Sequence, residues 1–267
     1  MSFILIDKPR PDVALITLNR SERMNAMAFD VMIPLREALE TLSHDNDVRV
    51  VVLTGAGHGF CSGADLEDSG IVPNIDGLTV TSIARRALEL LDDVILAIRK
   101  MHQPLIGAIN GAAIGGGFCL ACACDIRVAS DAAYFRAAGI NNGLTASELG
   151  ISYLLPREVG SARAFDIMLT GRDVDAAEAE RIGLVSRVVP GATLLDECYA
   201  LAERINGFSR VGVEVTKRML WSSLDAASMH AHMDHEGIAQ LYVRLTTQNF
   251  EEAIRARKEK RTPEYRD

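Results

Sequence analysis

The sequence predicts an α/β fold over residues 1–190 and a helical portion over residues 191–267. Three observations point there. Apolar, β-branched runs of strand length, foremost Val48 to Thr54 and Pro104 to Asn110, alternate with helix-spaced segments. Two glycine-bearing segments, Phe60-Cys61-Ser62-Gly63-Ala64-Asp65-Leu66 and Ile114-Gly115-Gly116-Gly117-Phe118-Cys119-Leu120, each follow one of those runs and each lead into a stretch that can start a helix. From Leu194 onward the strand signals stop, and helical spacing continues in three or four pieces.

Taken in order, Phe3 to Asp7 and Val13 to Leu18 alternate like two strands joined by a turn at Pro9 and Pro11. Phe29 to Leu42 has helical spacing, with Pro34 placed in a first turn or at a kink. Val48 to Leu53 reads as a strand buried on both faces, Thr54 to Gly59 as a glycine-rich turn, and Ser69 to Thr79 as an irregular loop beside a site. Ile83 to Met101 is helical, with Leu88, Leu91, Ile95 and Ile98 on one face. Leu105 to Ile109 returns to strand, and Gly115 to Ala123 reads as a buried helix of small residues. Ile126 to Ala129 and Ala133 to Phe135 are strands; Ala146 to Glu158, Ala162 to Leu169 and Ala176 to Arg181 are helices; Leu184 to Val189 is a last strand. A β-turn-β-α order repeats without a repeat of fixed length.

With 48% apolar and 24% charged residues in a chain of 267, the composition is that of a globular protein with an ample core. The formal charge of −8 argues against nucleic acid or an anionic membrane as the main partner. The five cysteines, Cys61, Cys119, Cys122, Cys124 and Cys198, are odd in number and read as free thiols in a reducing compartment. The start of the chain lacks a charged region ahead of its short apolar run, and no apolar stretch has the length of a membrane helix. A cytoplasmic location is the expectation.

The glycine segments carry the chemistry. Backbone without side chains at the end of a strand leaves N–H groups bare and aimed outward. Two such turns can converge on one oxygen atom and stabilise negative charge there. Ser62-Gly63-Ala64-Asp65-Leu66 and Asn110-Gly111-Ala112-Ala113-Ile114-Gly115-Gly116-Gly117 resemble the paired signatures of the crotonase superfamily, the enoyl-CoA hydratases and isomerases. The likeness continues through Cys124 to Ala129, Leu169-Thr170-Gly171-Arg172, Ala179 to Val185 and Glu259 to Pro263, so it covers almost the whole chain in order. Ala137 to Gly150 is similar to a segment of actinobacterial enoyl-CoA hydratase paralogues.

That resemblance implies a spiral of ββα units, with a helical tail that packs on neighbouring subunits in homotrimers or hexamers. It implies an acyl-CoA thioester as substrate. No separate cofactor is implied, since coenzyme A is part of that substrate. The N–H groups of Ala64 and Gly116 would hold the thioester oxygen as it becomes an enolate. Met24, Ala26, Ser62, Ala64, Asp65, Leu66 and Gly116 would line the ligand path, and Leu241 and Lys260 match tail positions that touch CoA in relatives. For Asp65 the alternative is a role in ordering its own loop, and for Lys260 a solvated helix end.

The chain departs from the family at two positions. Relatives that hydrate enoyl-CoA use two glutamates; here those positions are Cys119 and Gly139. A thiol in an apolar helix is a poor substitute for a carboxylate. Glu148 remains, matching an aspartate of dienoyl-CoA isomerase relatives, with apolar neighbours that favour a raised pKa. The alternative places it in the first turn of its helix, where carboxylates are favoured. The expectation is an enoyl-CoA hydratase/isomerase-type enzyme, a lyase or isomerase, of fatty-acid or related acyl-CoA metabolism. A Δ3,Δ2-type isomerase using Glu148 alone and a non-catalytic acyl-CoA-binding protein are the alternatives.

Other patterns carry less. Cys119, Cys122 and Cys124 have metal-like spacing but sit in an apolar run without a fourth ligand nearby, so no metal is expected. His230, His232, His235 and Glu236 read as a solvated helix face. Gly111 to Gly117 lacks the Lys-Ser or Lys-Thr of a P-loop, and no GxSxG elbow surrounds Ser62.

Overall fold

The computed structural model describes residues 2–266. β1 (Ile4–Arg10) and β2 (Val13–Leu18) form an antiparallel hairpin, followed by α1 (Phe29–Ser43). The chain then repeats one unit three times: a strand in a large sheet, a three-residue strand in a small sheet, and a helix. The units are β3 (Val50–Gly55), β4 (Gly59–Cys61) and α2 (Val80–Lys100); β5 (Leu105–Ile109), β6 (Ala112–Ile114) and α3 (Gly116–Ala123); β7 (Ile126–Ser130), β8 (Tyr134–Arg136) and α4 (Ile151–Val159). After them come α5 (Ser161–Thr170), β9 (Val174–Asp175), α6 (Ala176–Arg181) and β10 (Arg187–Val189). The last helices are α7 (Leu194–Asn206), α8 (Arg210–Ser223), α9 (Met229–Thr246) and α10 (Asn249–Glu259).

The large sheet has six strands in the order β1-β2-β3-β5-β7-β10, parallel from β2 onward. The small sheet has the order β4-β6-β8-β9, with β4, β6 and β8 parallel. Each repeat therefore advances one strand in both sheets together, which is the ββα spiral. β4 and β6 replace what the sequence reads as turn. Three residues are too few for apolar alternation to register.

β3 is buried along its whole length because both of its faces are covered. Val51 and Leu53 pack with α1, α2 and α3, while Val50 and Val52 face Leu194, Cys198, Tyr199 and Ala202 of α7. Successive side chains point to opposite faces, so one strand serves two cores. α7 lies beyond residue 190 yet closes the second of these cores. β1 runs through Pro9 to Arg10, and the turn falls at Asp12, whose φ is +58°. An edge strand tolerates a proline because no second neighbour needs its N–H.

α8 is held by charge as well as packing. Lys217 Nζ lies 2.8 Å from Asp125 Oδ2 and donates to the carbonyls of Ile98 (3.1 Å) and Gln103 (2.8 Å). Asp125 also accepts from Trp221 Nε1 at 2.6 Å and Leu105 N at 2.7 Å. α9 differs from every other long helix, since no residue along it is buried. The five cysteines are buried and unpaired. No helix of the described residues is long and apolar enough to cross a membrane.

Truncating one partner of a buried, hydrogen-bonded pair strands the other charge. Lys217→Met is expected to lower stability by about 3–5 kcal/mol, read as a shifted midpoint in urea unfolding.

Candidate active site

The first turn leaves β4 at Cys61. Met27 N donates to Gly63 O (2.7 Å) and Asp65 N to Met27 O (3.0 Å), a parallel bridge in which Met27 runs beside Ala64. That pattern uses the neighbours of Ala64 and turns its own N–H away from Met27. Among the described residues it has no acceptor. The turn leads into irregular chain up to Thr79, and not directly into a helix as the sequence suggests.

The second turn joins β6 to α3. Gly115 has φ +52° and ψ −121°, which favours glycine, and its N–H donates to Arg136 O at 2.8 Å. Gly116 is the first residue of α3, so its N–H has no partner within the helix, and none of the described residues accepts it. The turns touch. A Cβ on Gly63 would fall 2.6 Å from Ile114 O and 3.3 Å from Gly116 N; one on Gly117 would fall 2.0 Å from Cys61 O. Two bare amides from distant parts of the chain thus lie on adjoining turns, and a Cβ on Gly116 would meet the side chains of both Met27 (2.2 Å) and Leu149 (3.3 Å). Sequence reasoning passed over both of these side chains. Each directly follows or adjoins a residue it did select, which was the available signal.

Glu148 comes to the same place. Its Oε1 is 3.3 Å from where a Cβ on Gly115 would stand. The helix expected from Ala146 begins instead at Ile151, because Leu149 (φ +46°) and Gly150 (φ +79°) are left-handed in succession and break the helical run. Glu148 therefore lies ahead of α4 and its carboxylate does not cap it. The group is half-buried and has no hydrogen-bond or ion-pair partner among the described residues. Burial raises its pKa above the ordinary 4.5.

The positions of the two missing glutamates are closed to acid–base work. A Cβ on Gly139 would sit 2.1 Å from Thr145 O, so this backbone leaves no room for a side chain. Cys119 is fully buried in α3, and burial, with the Glu148 charge behind it, pushes its thiol well above 9. Cys61 is pushed up to about 12 by burial.

The other selected residues divide by place. Asp65 accepts from Glu67 N (2.9 Å) and Asp68 N (3.0 Å) and pairs with Arg20 at 2.8 Å in a buried contact. The two backbone donors chiefly, then Arg20, hold its carboxyl below the usual carboxylate range. Ser62 Oγ donates to Arg23 O and Ser62 N to Met24 O, so this segment is stitched to residues 23–27. Ala26 is buried there, Met24 is partly exposed with φ +49°, and Leu66 is 80% exposed. Asn25, which the sequence did not single out, is buried and bonds Arg20 N, Ala56 O and Gly59 O, holding the segment to the end of β3. Leu241 lies exposed on α9 and Lys260 at the end of α10, where neither side chain is joined to the turns by a hydrogen bond or ion pair. His232 is largely covered against α8, unlike the solvated face expected of it.

The sequence profile of the enoyl-CoA hydratase/isomerase family matches residues 10–267. A probable enoyl-CoA hydratase of Mycobacterium tuberculosis is 67% identical over 267 residues, covering 100% of this chain and 94% of that protein. The crystal structure of a probable enoyl-CoA hydratase/isomerase from Mycobacterium abscessus superposes with a TM-score of 0.96 at 69% identity, covering 100% of this chain and 99% of the other. A monofunctional enoyl CoA isomerase from M. smegmatis superposes with a TM-score of 0.75 at 62% identity, covering 87% of this chain and 99% of the other.

The Gly117 contact gives a direct check on how closely the turns must approach. Gly117→Ala forces a Cβ against Cys61 O and should lower stability by about 1–3 kcal/mol, measured by thermal or denaturant unfolding.

Proposed function

The chain belongs to the enoyl-CoA hydratase/isomerase family, and on that premise we propose that it is an acyl-CoA isomerase that shifts a carbon–carbon double bond through an enolate, with Glu148 as its one acid–base group. One observation carries the reading: a half-buried carboxylate, unpaired among the described residues, stands against the Gly115–Gly116 turn, while the two positions that hold glutamates in hydrating relatives offer a protonated thiol and no side chain. The M. smegmatis neighbour, a monofunctional enoyl CoA isomerase, agrees with it.

The amides of Ala64 and Gly116 hold the thioester oxygen. Glu148, ionised, takes a proton from the carbon next to the carbonyl. The electron pair left behind spreads onto the oxygen, where two N–H donors stabilise the negative charge by several kcal/mol. The α3 N-terminus adds a positive dipole end. The same carboxyl returns the proton to the far carbon of the delocalised anion, and the double bond moves into conjugation. Removal and return balance, so one base suffices. Hydration would need a second group to activate water, and position 119 does not supply one. Asp65, already ionised and bonded, orders the turn that carries the Ala64 amide.

The assembly reading concerns the tail. α9 carries Ile238, Leu241, Tyr242 and Leu245 at i, i+3, i+4 and i+7, on one face and all more than half exposed. An apolar stripe of that length calls for a partner. Residues 191–267 accordingly include the oligomerisation portion, in a trimer or a pair of trimers, with Leu241 and Lys260 brought to the CoA path there.

Glu148→Gln should lower kcat on a 3-enoyl-CoA by about 100- to 10,000-fold while leaving acyl-CoA binding within a few-fold. Full turnover would remove Glu148 from the mechanism; binding without turnover in the unmutated protein would favour a binding protein, and absence of CoA-thioester binding would refute both. Because the base must be ionised and burial raises its pKa, kcat should fall as pH drops, with a midpoint above the ordinary 4.5. Light scattering on the purified chain should give a mass that is a multiple of three protomers.

A further inference from the structure

Cys119 occupies a position whose chemistry the mechanism above leaves unused. Its Sγ lies 3.3 Å from Gly115 O and 3.5 Å from Glu148 O, in reach of both carbonyls. These two acceptors belong to the two halves of the site. Gly115 C=O and Gly116 N–H are opposite ends of one planar peptide group, so whatever fixes the oxygen also aims the N–H. Cys119 N also donates to Gly115 O, at 3.1 Å. Glu148 is the residue that carries the carboxylate.

Glu148 needs such a hold. Leu149 is a non-glycine residue in the left-handed region, a conformation that costs on the order of 1 kcal/mol and persists where its surroundings enforce it. The carboxylate itself is bonded to nothing among the described residues. Within Ala146 to Gly150 the other hydrogen bonds are local, from Ile151 N to Glu148 O, from Tyr153 N and Leu154 N to Gly150 O, and from Ser147 N to Thr145 Oγ1. Among the described residues, the Cys119 thiol makes the one hydrogen bond that reaches this stretch from another element.

We propose that Cys119 is a positioning residue: its thiol ties the peptide that presents the Gly116 N–H to the main chain of Glu148, and so sets the separation of amide and base. The proposal rests on the reading of Glu148 as the base. A thiol suits the task because its one S–H proton can be shared between the two carbonyls, both of which lie within sulfur's longer reach from one buried helix position. It also stays protonated, and therefore a donor, across the working pH range. A carboxylate there would add a second negative charge beside Glu148.

The test compares Cys119→Ala and Cys119→Ser with the unmutated protein, and each with Glu148→Gln. Serine keeps a local bond to Gly115 O, but its shorter C–O bond withdraws from Glu148 O, so it guards against a loss caused only by an unmet buried group. Both variants should lower kcat by about 10- to 100-fold with KM within twofold. The acid limb of the kcat profile should move down toward 4.5 as the loosened carboxylate gains water. Thermal midpoints for the serine variant should stay close to the parent. Unmoved kcat and acid limb in both variants would overturn the proposal, as would lower kcat with an acid limb that has not shifted. If Glu148→Gln itself turns over normally, the functional reading fails first; if it is inactive while the Cys119 variants behave as the parent, only the positioning role fails.

Discussion

The contact of main chain with main chain between the Cys61–Ala64 and Ile114–Gly117 turns is the constraint on which the rest of the structure depends. There is no space between them for a single methyl group: Ile114 O lies over Gly63 and Cys61 O over Gly117. The pairing of β4 with β6 brings the segments side by side, and the repeat of the ββα unit brings β4 and β6 into one sheet. Small side chains follow from the same closeness. α3 is buried on all sides, and its Gly, Ala and Cys residues let neighbouring elements approach its axis. A bulkier helix would push the second turn away from the first, and the two free amides with it.

The carboxylates of the fold fall into two kinds, and the difference is physical. Asp125 and Asp65 are each met by a cation and by backbone or side-chain donors. Such groups are committed to their charge and place, and they fix α8 to the sheet and order the loop after β4. Glu148 is half-buried and, among the described residues, meets no cation or donor. Desolvation without compensation brings its two protonation states closer in energy at neutral pH, which is what a group that accepts and then returns a proton requires.

Much of the framework could be read from the chain, and the reasons differ by element. Val48 to Thr54 and Pro104 to Asn110 are apolar because both faces are covered, so their runs register as strands even one residue at a time. The buried small-residue helix was legible for the same reason. β4, β6 and β9 were not, since strands of two or three residues leave no periodic signature. The start of α4 was misread because Ala146 to Leu149 has good helix formers; the succession of left-handed residues at Leu149 and Gly150 is imposed by packing and has no sign in propensity. Within the site, the glycines announced themselves by pattern, whereas the hold of Asn25 on the end of β3 and the double reach of Cys119 arise from contacts across long stretches of sequence.

β1 lies at the margin of the large sheet, with Asp7, Lys8, Pro9 and Arg10 in its second half. A chain with a parallel sheet this apolar is exposed to templated stacking while it folds, because an open margin offers a row of unmet amide and carbonyl groups. Here that row is interrupted where proline has no hydrogen to give, and the flanking charges make close approach of an identical strand electrostatically and sterically awkward. The marginal strand thus carries a guard against fibrillar association for the sheet it borders.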